Sequence, residues 1–120
     1  MKKLEELMRQ SKEAKGVITL NTSNFDKMLK DAKVPVLVDF WAEWCMPCRI
    51  MAPVVEELAR QYVSKAIFAK LNVDENPEVA SRYQVMSIPL FVIFKGGKPV
   101  EKIVGAVGRK TLEEALKKHL

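Results

Sequence analysis

The chain has 120 residues, 48% of them apolar and 29% charged, with a formal net charge of +5. That length fits one domain able to bury roughly two thirds of its unfolded surface, and that composition excludes a disordered chain. The longest uncharged apolar run is far short of a membrane span, so a soluble globular protein without a transmembrane helix is expected.

The basic excess does not by itself point to nucleic acid or membrane. Lysines alternate with glutamates, as in Glu113-Glu114 followed by Lys117-Lys118, which pair at i,i+4 on a helix face. A solvated surface is the better reading of such a pattern. Met1-Lys2-Lys3 is basic, but Glu5, Glu6 and Arg9 stand where a secretory signal places its apolar segment. The expected location is therefore cytoplasmic, with thiols held mostly reduced.

Residues 2–15 have a helical pattern, with Leu4, Leu7 and Met8 at i,i+3,i+4, and Gly16 is a plausible stop. Val17-Ile18-Thr19-Leu20 reads as a short strand. Thr22 or Ser23 can cap a helix whose apolar face is Phe25, Met28, Leu29 and Ala32. From Val34 to Ala42 the run is apolar except for Pro35 and Asp39, the pattern of a central strand buried on both faces.

At Pro47 the period becomes helical: Ile50/Met51, Val54/Val55, Leu58/Ala59 and Tyr62/Val63 recur every four residues. Pro53 lies inside this helix and should kink it. A strand over 66–73 follows. Asn76-Pro77 then places an N-cap before a proline, starting a short helix through Tyr83. A strand over 89–94 turns at Gly96-Gly97 into a second one over 100–104. Gly105 and Gly108 precede a last helix carrying Leu112, Ala115, Leu116 and Leu120.

After the leading helix the order is β-α-β-α-β-α-β-β-α. Such an alternation favours parallel pairing, and the glycine hairpin adds an antiparallel pair. The expected fold class is α/β, a central mixed β-sheet flanked by helices on both faces.

The chemistry concentrates at Trp44-Cys45-Met46-Pro47-Cys48, which holds both cysteines of the chain. Two such cysteines can be buried small hydrophobes, and a zinc site would need four ligands where only His119 is added. The redox reading gains because the pair lies between a strand end and a helix start. There Cys45 meets free N–H groups and the positive end of the helix dipole, which stabilise a thiolate, the nucleophilic form. Cys48 sits one turn further in and is expected to be more buried. The spacing lets the two sulfurs close into a disulfide, and Pro47 presets the first turn.

These residues belong to a longer series: Val38-Asp39-Phe40-Trp41-Ala42-Glu43-Trp44-Cys45, Met46-Pro47-Cys48, Ala52-Pro53, Ala69-Lys70-Leu71-Asn72-Val73-Asp74-Glu75-Asn76-Pro77, Ser87-Ile88-Pro89 and Val104-Gly105-Ala106. In that order they resemble the thioredoxin family over about residues 17–119. The resemblance implies a thioredoxin fold over 16–120, with 1–15 as an N-terminal helical extension. It also implies a protein-disulfide reductase working through a reversible Cys45–Cys48 disulfide, with no bound cofactor and no metal.

The resemblance further gives roles to residues already odd in the pattern. Asp39, a carboxylate in an apolar strand, is either paired with Lys70 on the next strand or, as in the family, buried near the second cysteine to take and return a proton. Ile88-Pro89 resembles the family's cis-proline step, with Ile88 backbone pairing to an extended substrate. Trp44, Met46, Ile88, Pro89, Gly105 and Ala106 would surround Cys45, while Trp41 is expected to be mainly structural.

Two positions depart from the family: Met46 stands where Gly is usual, and Leu90 where Thr is usual. Met46 leaves the redox poise open, because residues between the cysteines tune it. The implied partners are disulfide-containing proteins and a thioredoxin reductase or equivalent donor, since the chain carries no nucleotide-binding fingerprint; a monomer without nucleic-acid or membrane partners is expected. Two other readings stand beside this one. They are an oxidant or isomerase of an exporting compartment, and a non-catalytic binding module on the same scaffold.

Overall fold

Periodicity resolves into nine elements in the computed structural model, which describes residues 16–120. They are β1 (Val17–Leu20), α1 (Phe25–Asp31), β2 (Val36–Trp41), α2 (Met46–Gln61), β3 (Ile67–Asn72), α3 (Pro77–Arg82), β4 (Leu90–Lys95), β5 (Lys98–Val104) and α4 (Arg109–Lys117). The helix expected over 2–15 lies outside the described residues. The strands form one sheet in the order β1-β3-β2-β4-β5, so the apolar run 34–42 does supply the centre. β3 pairs in parallel with both β1 and β2, and β4 is antiparallel to β2 and β5. The mixed sheet follows from the connections: helical crossovers give the parallel pairs, and the hairpin gives an antiparallel one. Gly96 and Gly97 make that hairpin possible, both with positive φ (61° and 81°), where side-chain-bearing residues are strained.

Alternation along the strands assigns the two faces. Val36, Val38 and Phe40 of β2, Ile67, Ala69 and Leu71 of β3, and Val92 and Phe94 of β4 pack with Phe25, Met28 and Leu29 of α1 and Val79 of α3. Phe25 anchors this side, its ring within 6.4 Å of those of Phe40, Tyr83 and Phe94. Leu37, Phe68, Phe91 and Ile93 point the other way, onto Met51, Val55 and Leu58 of α2 and Leu112 and Leu116 of α4. Asp39 shares the face of Leu37. It lies in register between Lys70 and Phe91, under the start of α2. The fold thus places one carboxylate beneath the helix that begins at the cysteines.

Several local expectations change. The residue capping α1 is Asn24 rather than Thr22 or Ser23, and its side chain makes no cap bond there. Asn21 Oδ1 accepts from the amides of Ser23 and Asn24, so a side-chain-closed turn precedes the helix. Asn76 is the N-cap residue before Pro77, as expected, but its side chain makes no cap bond to α3. Its Oδ1 accepts from the Thr22 amide at 2.9 Å, and its Nδ2 donates to the Asn72 carbonyl at 3.0 Å. α2 runs through Pro53 from Met46 to Gln61. Only part of its apolar series is covered: Met51, Val55, Leu58, Ala59 and Tyr62 are buried, whereas Ile50 and Val63 are exposed. Leu120 is likewise exposed and lies beyond α4. On α4, Glu113 pairs with Arg109 rather than Lys117, and Lys118 reaches Glu101 on β5.

Candidate active site

Cys45 is the N-cap of α2, in extended conformation, and Cys48 lies within its first turn. The two are joined by a disulfide, with Cα atoms 5.3 Å apart, so this is the oxidised form of the site. The Cys48 amide donates to Cys45 Sγ at 3.2 Å, giving that sulfur one of the free N–H groups of the helix start. Such a donor, with the dipole, favours negative charge on the sulfur once the bond is reduced. Pro47 occupies the first turn, where its missing N–H costs no helical bond.

Burial does not distinguish the sulfurs as expected: Cys45 is 3% exposed and Cys48 2%. Both pack on Ala42, with Trp41, Val73 and Ile88 around them. The difference between them is what lies beneath. A cleft of about 220 Å³ is lined by Cys48, Arg49 and Ala52 of α2 and by Asp39, Trp41 and Lys70 of the sheet. Cys45 is not among its walls.

Of the two readings of Asp39, the paired one fails. Its side chain is buried, and Oδ1 has no hydrogen-bond partner. Lys70 instead sets its ammonium 5.3 Å from the centre of the Trp41 ring. Burial pushes the Asp39 carboxyl up from 3.8 to about 7, and the nearby positive charge of Lys70 opposes this without cancelling it. A carboxyl that exchanges its proton near neutral pH thus shares a cleft with Cys48. Trp41 forms one wall of that cleft, with the Lys70 ammonium over its ring.

The remaining residues gather at the same end of the sheet, where β2 and β3 finish and β4 begins. The Ile88–Pro89 peptide is cis. Pro89 is buried, and Ile88 packs against the cysteine cluster. Gly105, at φ 95°, donates its amide to the Pro89 carbonyl at 2.8 Å, and Ala106 follows it, exposed. Trp44 and Met46, on either side of Cys45, are exposed.

Three features escaped the sequence reading. Trp44 donates its indole N–H to Asp74 at 2.8 Å, and the turn bearing Asp74 is closed by Asn72 Oδ1, which accepts from the amides of Asp74 and Glu75. Arg49 and Ala52 line the cleft. Met86 is almost fully exposed beside the Ile88-Pro89 step. The run 69–77 is part of the family resemblance, but nothing in its spacing names Trp44 as the partner of Asp74.

Comparison with known proteins agrees with this geometry. The family model for thioredoxin matches residues 16–118. The chain is 56% identical over 98 residues to Thioredoxin 1 of Nostoc sp., covering 82% of this chain and 92% of that protein. It is 50% identical over 101 residues to the thioredoxin of Synechocystis sp., covering 84% and 94%. It is also 50% identical over 101 residues to the chloroplastic M-type thioredoxin of Chlamydomonas reinhardtii, covering 84% and 72%. With a disulfide at the start of α2 in this fold, and relatives of this identity across most of its length, the chain belongs to the thioredoxin family and is a thiol–disulfide oxidoreductase that reduces protein disulfides.

Proposed function

We propose that Cys45 is the attacking thiol, Cys48 the resolving one, and Asp39 the group that moves the proton between them and solvent. The observation that carries this division is the cleft: Cys48 opens onto it together with Asp39, and Cys45 does not. In the reduced protein Cys45 thiolate attacks one sulfur of a substrate disulfide, forming a mixed disulfide and expelling the other sulfur as a thiolate. Cys48 gives its proton to the Asp39 carboxylate and attacks Cys45 Sγ. The Cys45–Cys48 bond forms, and the substrate leaves with both sulfurs reduced. Lys70 limits how far the pKa of Asp39 rises, and Pro47 holds the turn that keeps the sulfurs within reach.

Trp44, Met46, Ile88, Gly105 and Ala106 form the substrate surface, with Pro89 beneath it. An extended substrate segment lies along the backbone at Ile88. Partners are disulfide-bearing proteins and a thioredoxin reductase or equivalent donor, which returns two electrons to the disulfide after each turnover. The protein acts as a cytoplasmic monomer, without nucleic-acid or membrane partners. Among the described residues no helix is long and apolar enough to cross a membrane.

The direct test is reduction of insulin by dithiothreitol, with and without catalytic amounts of the protein, then with candidate reductases and their nicotinamide donor. Faster precipitation of the insulin chains is expected. No acceleration in either format overturns the proposal. The Trp44–Asp74 bond gives a finer check on the surface. Asp74→Ala should raise KM for insulin about threefold with kcat little changed, matching a net hydrogen bond of about 0.6 kcal/mol. Asp74→Asn, which keeps an acceptor, should restore it. An unchanged KM in the alanine variant would remove Trp44 from the surface or Asp74 from its support.

A further inference from the structure

Four methionines fall among the described residues, and their burial divides them sharply. Met28 and Met51 are 2% and 3% exposed, inside the two core layers. Met46 and Met86 are 62% and 93% exposed. Both exposed thioethers sit at the dithiol end of the sheet. Met46 lies between the cysteines, and Met86 is two residues before Ile88, which packs on the cysteine cluster. Neither placement serves the core. Exposed apolar side chains beside a reactive sulfur pair are the ones an incoming oxidant reaches.

We propose that Met46 and Met86 are a reversible oxidation site, which closes the substrate surface when the dithiol is not being regenerated. A peroxide is the oxidant. Each thioether sulfur uses a lone pair to take one peroxide oxygen: the O–O bond breaks, an S=O bond forms, and hydrogen peroxide leaves its second oxygen as water. The sulfur is oxidised by two electrons and the peroxide is reduced by two.

The order of events follows from sulfur reactivity. While Cys45 is a thiolate it is the better nucleophile, and it reacts with peroxide first, ending as the Cys45–Cys48 disulfide. That product is the state seen here, and it offers no thiolate. Only then are the exposed thioethers the next reactive sulfurs at the site. Their oxidation replaces two flexible apolar contacts by polar, chiral ones that lose hydration when a substrate covers them. Binding of apolar substrate segments weakens, while the fold, whose own methionines are shielded, is unaffected.

The inference rests on the reading that Met46 and Ile88 belong to the substrate surface, to which it adds Met86 next to Ile88, and the experiment separates the two. The disulfide form is incubated with hydrogen peroxide, the peroxide is removed, and peptide mass mapping locates each added oxygen. Insulin reduction is then measured with dithiothreitol, each protein against its own untreated sample. Oxygen is expected on Met46 and Met86 and not on Met28 or Met51. The ratio kcat/KM should fall about tenfold, which corresponds to about 1.4 kcal/mol. A methionine sulfoxide reductase should restore it, and the Met46→Leu/Met86→Leu double variant should lose the sensitivity.

Unchanged kcat/KM in wild type oxidised at both positions overturns the proposal. So does an equal loss in the double leucine variant, which would place the damage elsewhere. Met46→Ala and Met86→Ala without oxidant test the underlying reading. If neither raises KM, the surface is misplaced and both ideas fall. If they raise it and oxidation does nothing, only the switch falls.

Discussion

Asp39→Asn should stabilise the protein by about 2–3 kcal/mol at pH 8 and destabilise it by about 1–2 kcal/mol at pH 3, where only the cost of its buried amide remains, while slowing turnover. The fold buries the Asp39 carboxyl on a central strand and leaves its Oδ1 without a hydrogen-bond partner. Burial raises its pKa from 3.8 to about 7, with Lys70 opposing. Below pH 3.8 both folded and unfolded chains hold the proton, and Asp39 does not affect stability through ionisation. Between there and about pH 7 the unfolded chain loses the proton and the folded one keeps it, so stability falls as pH rises. Above about pH 7 both are ionised and the full penalty remains, on the order of 4 kcal/mol for a shift of this size. Asparagine removes the charge but leaves a buried amide to satisfy, which offsets part of the gain. Urea titrations at several pH values read the effect directly. A variant no more stable than wild type at pH 8 would mean that Asp39 is solvated or paired in solution. The same substitution removes the proposed proton acceptor from the cleft that Cys48 lines. Resolution of the mixed disulfide should slow on the order of a hundredfold, the lower range for a lost general base.

Why so much of this site could be read beforehand is visible at Asp39 itself. One carboxylate in an apolar strand stands out against a strict pattern, and the register Asp39–Lys70 follows once β2 and β3 pair. The order of elements along the chain and the Gly96-Gly97 hairpin are readable for the same reason, since they rest on local periodicity and turn chemistry, whereas the order of the strands in the sheet is not. What could not be read depends on contacts between distant turns. Whether Lys70 bonds Asp39 or lies over Trp41 is a choice among rotamers, and only packing decides it. Asp74 reaches Trp44 because β3 and β2 end side by side, a tertiary fact with no sequence period. Asn76 takes the N-cap position that asparagine before proline predicts, yet the nearby Thr22 amide and Asn72 carbonyl engage its side chain in place of the helix amides. Cys45 is as buried as Cys48 because both pack against Ala42, with Trp41, Val73 and Ile88 around them, contacts that no spacing in the sequence marks. The exposure of Met86 had no signal at all. It lies in the loop before a cis-proline, where neither helix nor strand alternation applies.

Cys45→Ser should abolish insulin reduction, and Cys48→Ser should collect substrates as stable mixed disulfides. Residue exposure does not separate the two, since both cysteines are buried to nearly the same extent. Position does. Cys45 is the N-cap residue, and its sulfur receives the Cys48 amide at 3.2 Å, so reduction leaves a sulfur already solvated by a backbone donor. One pKa unit of such stabilisation is worth about 1.4 kcal/mol and multiplies the thiolate fraction near neutral pH by up to tenfold. Cys48 lies a turn inside the helix and faces the cleft of Asp39, where a proton can leave but a protein substrate of ordinary size cannot enter. The Cys45 variant therefore loses the attacking group, and turnover should fall by at least a thousandfold. The Cys48 variant keeps the attack and loses the release. Incubated with cell extract and quenched by alkylation, it should run as dithiothreitol-sensitive adducts on non-reducing gels, absent from wild type and from the Cys45→Ser/Cys48→Ser double variant. Adducts on the Cys45→Ser protein instead would reverse the two roles, and would shift Asp39 from assisting release to assisting attack.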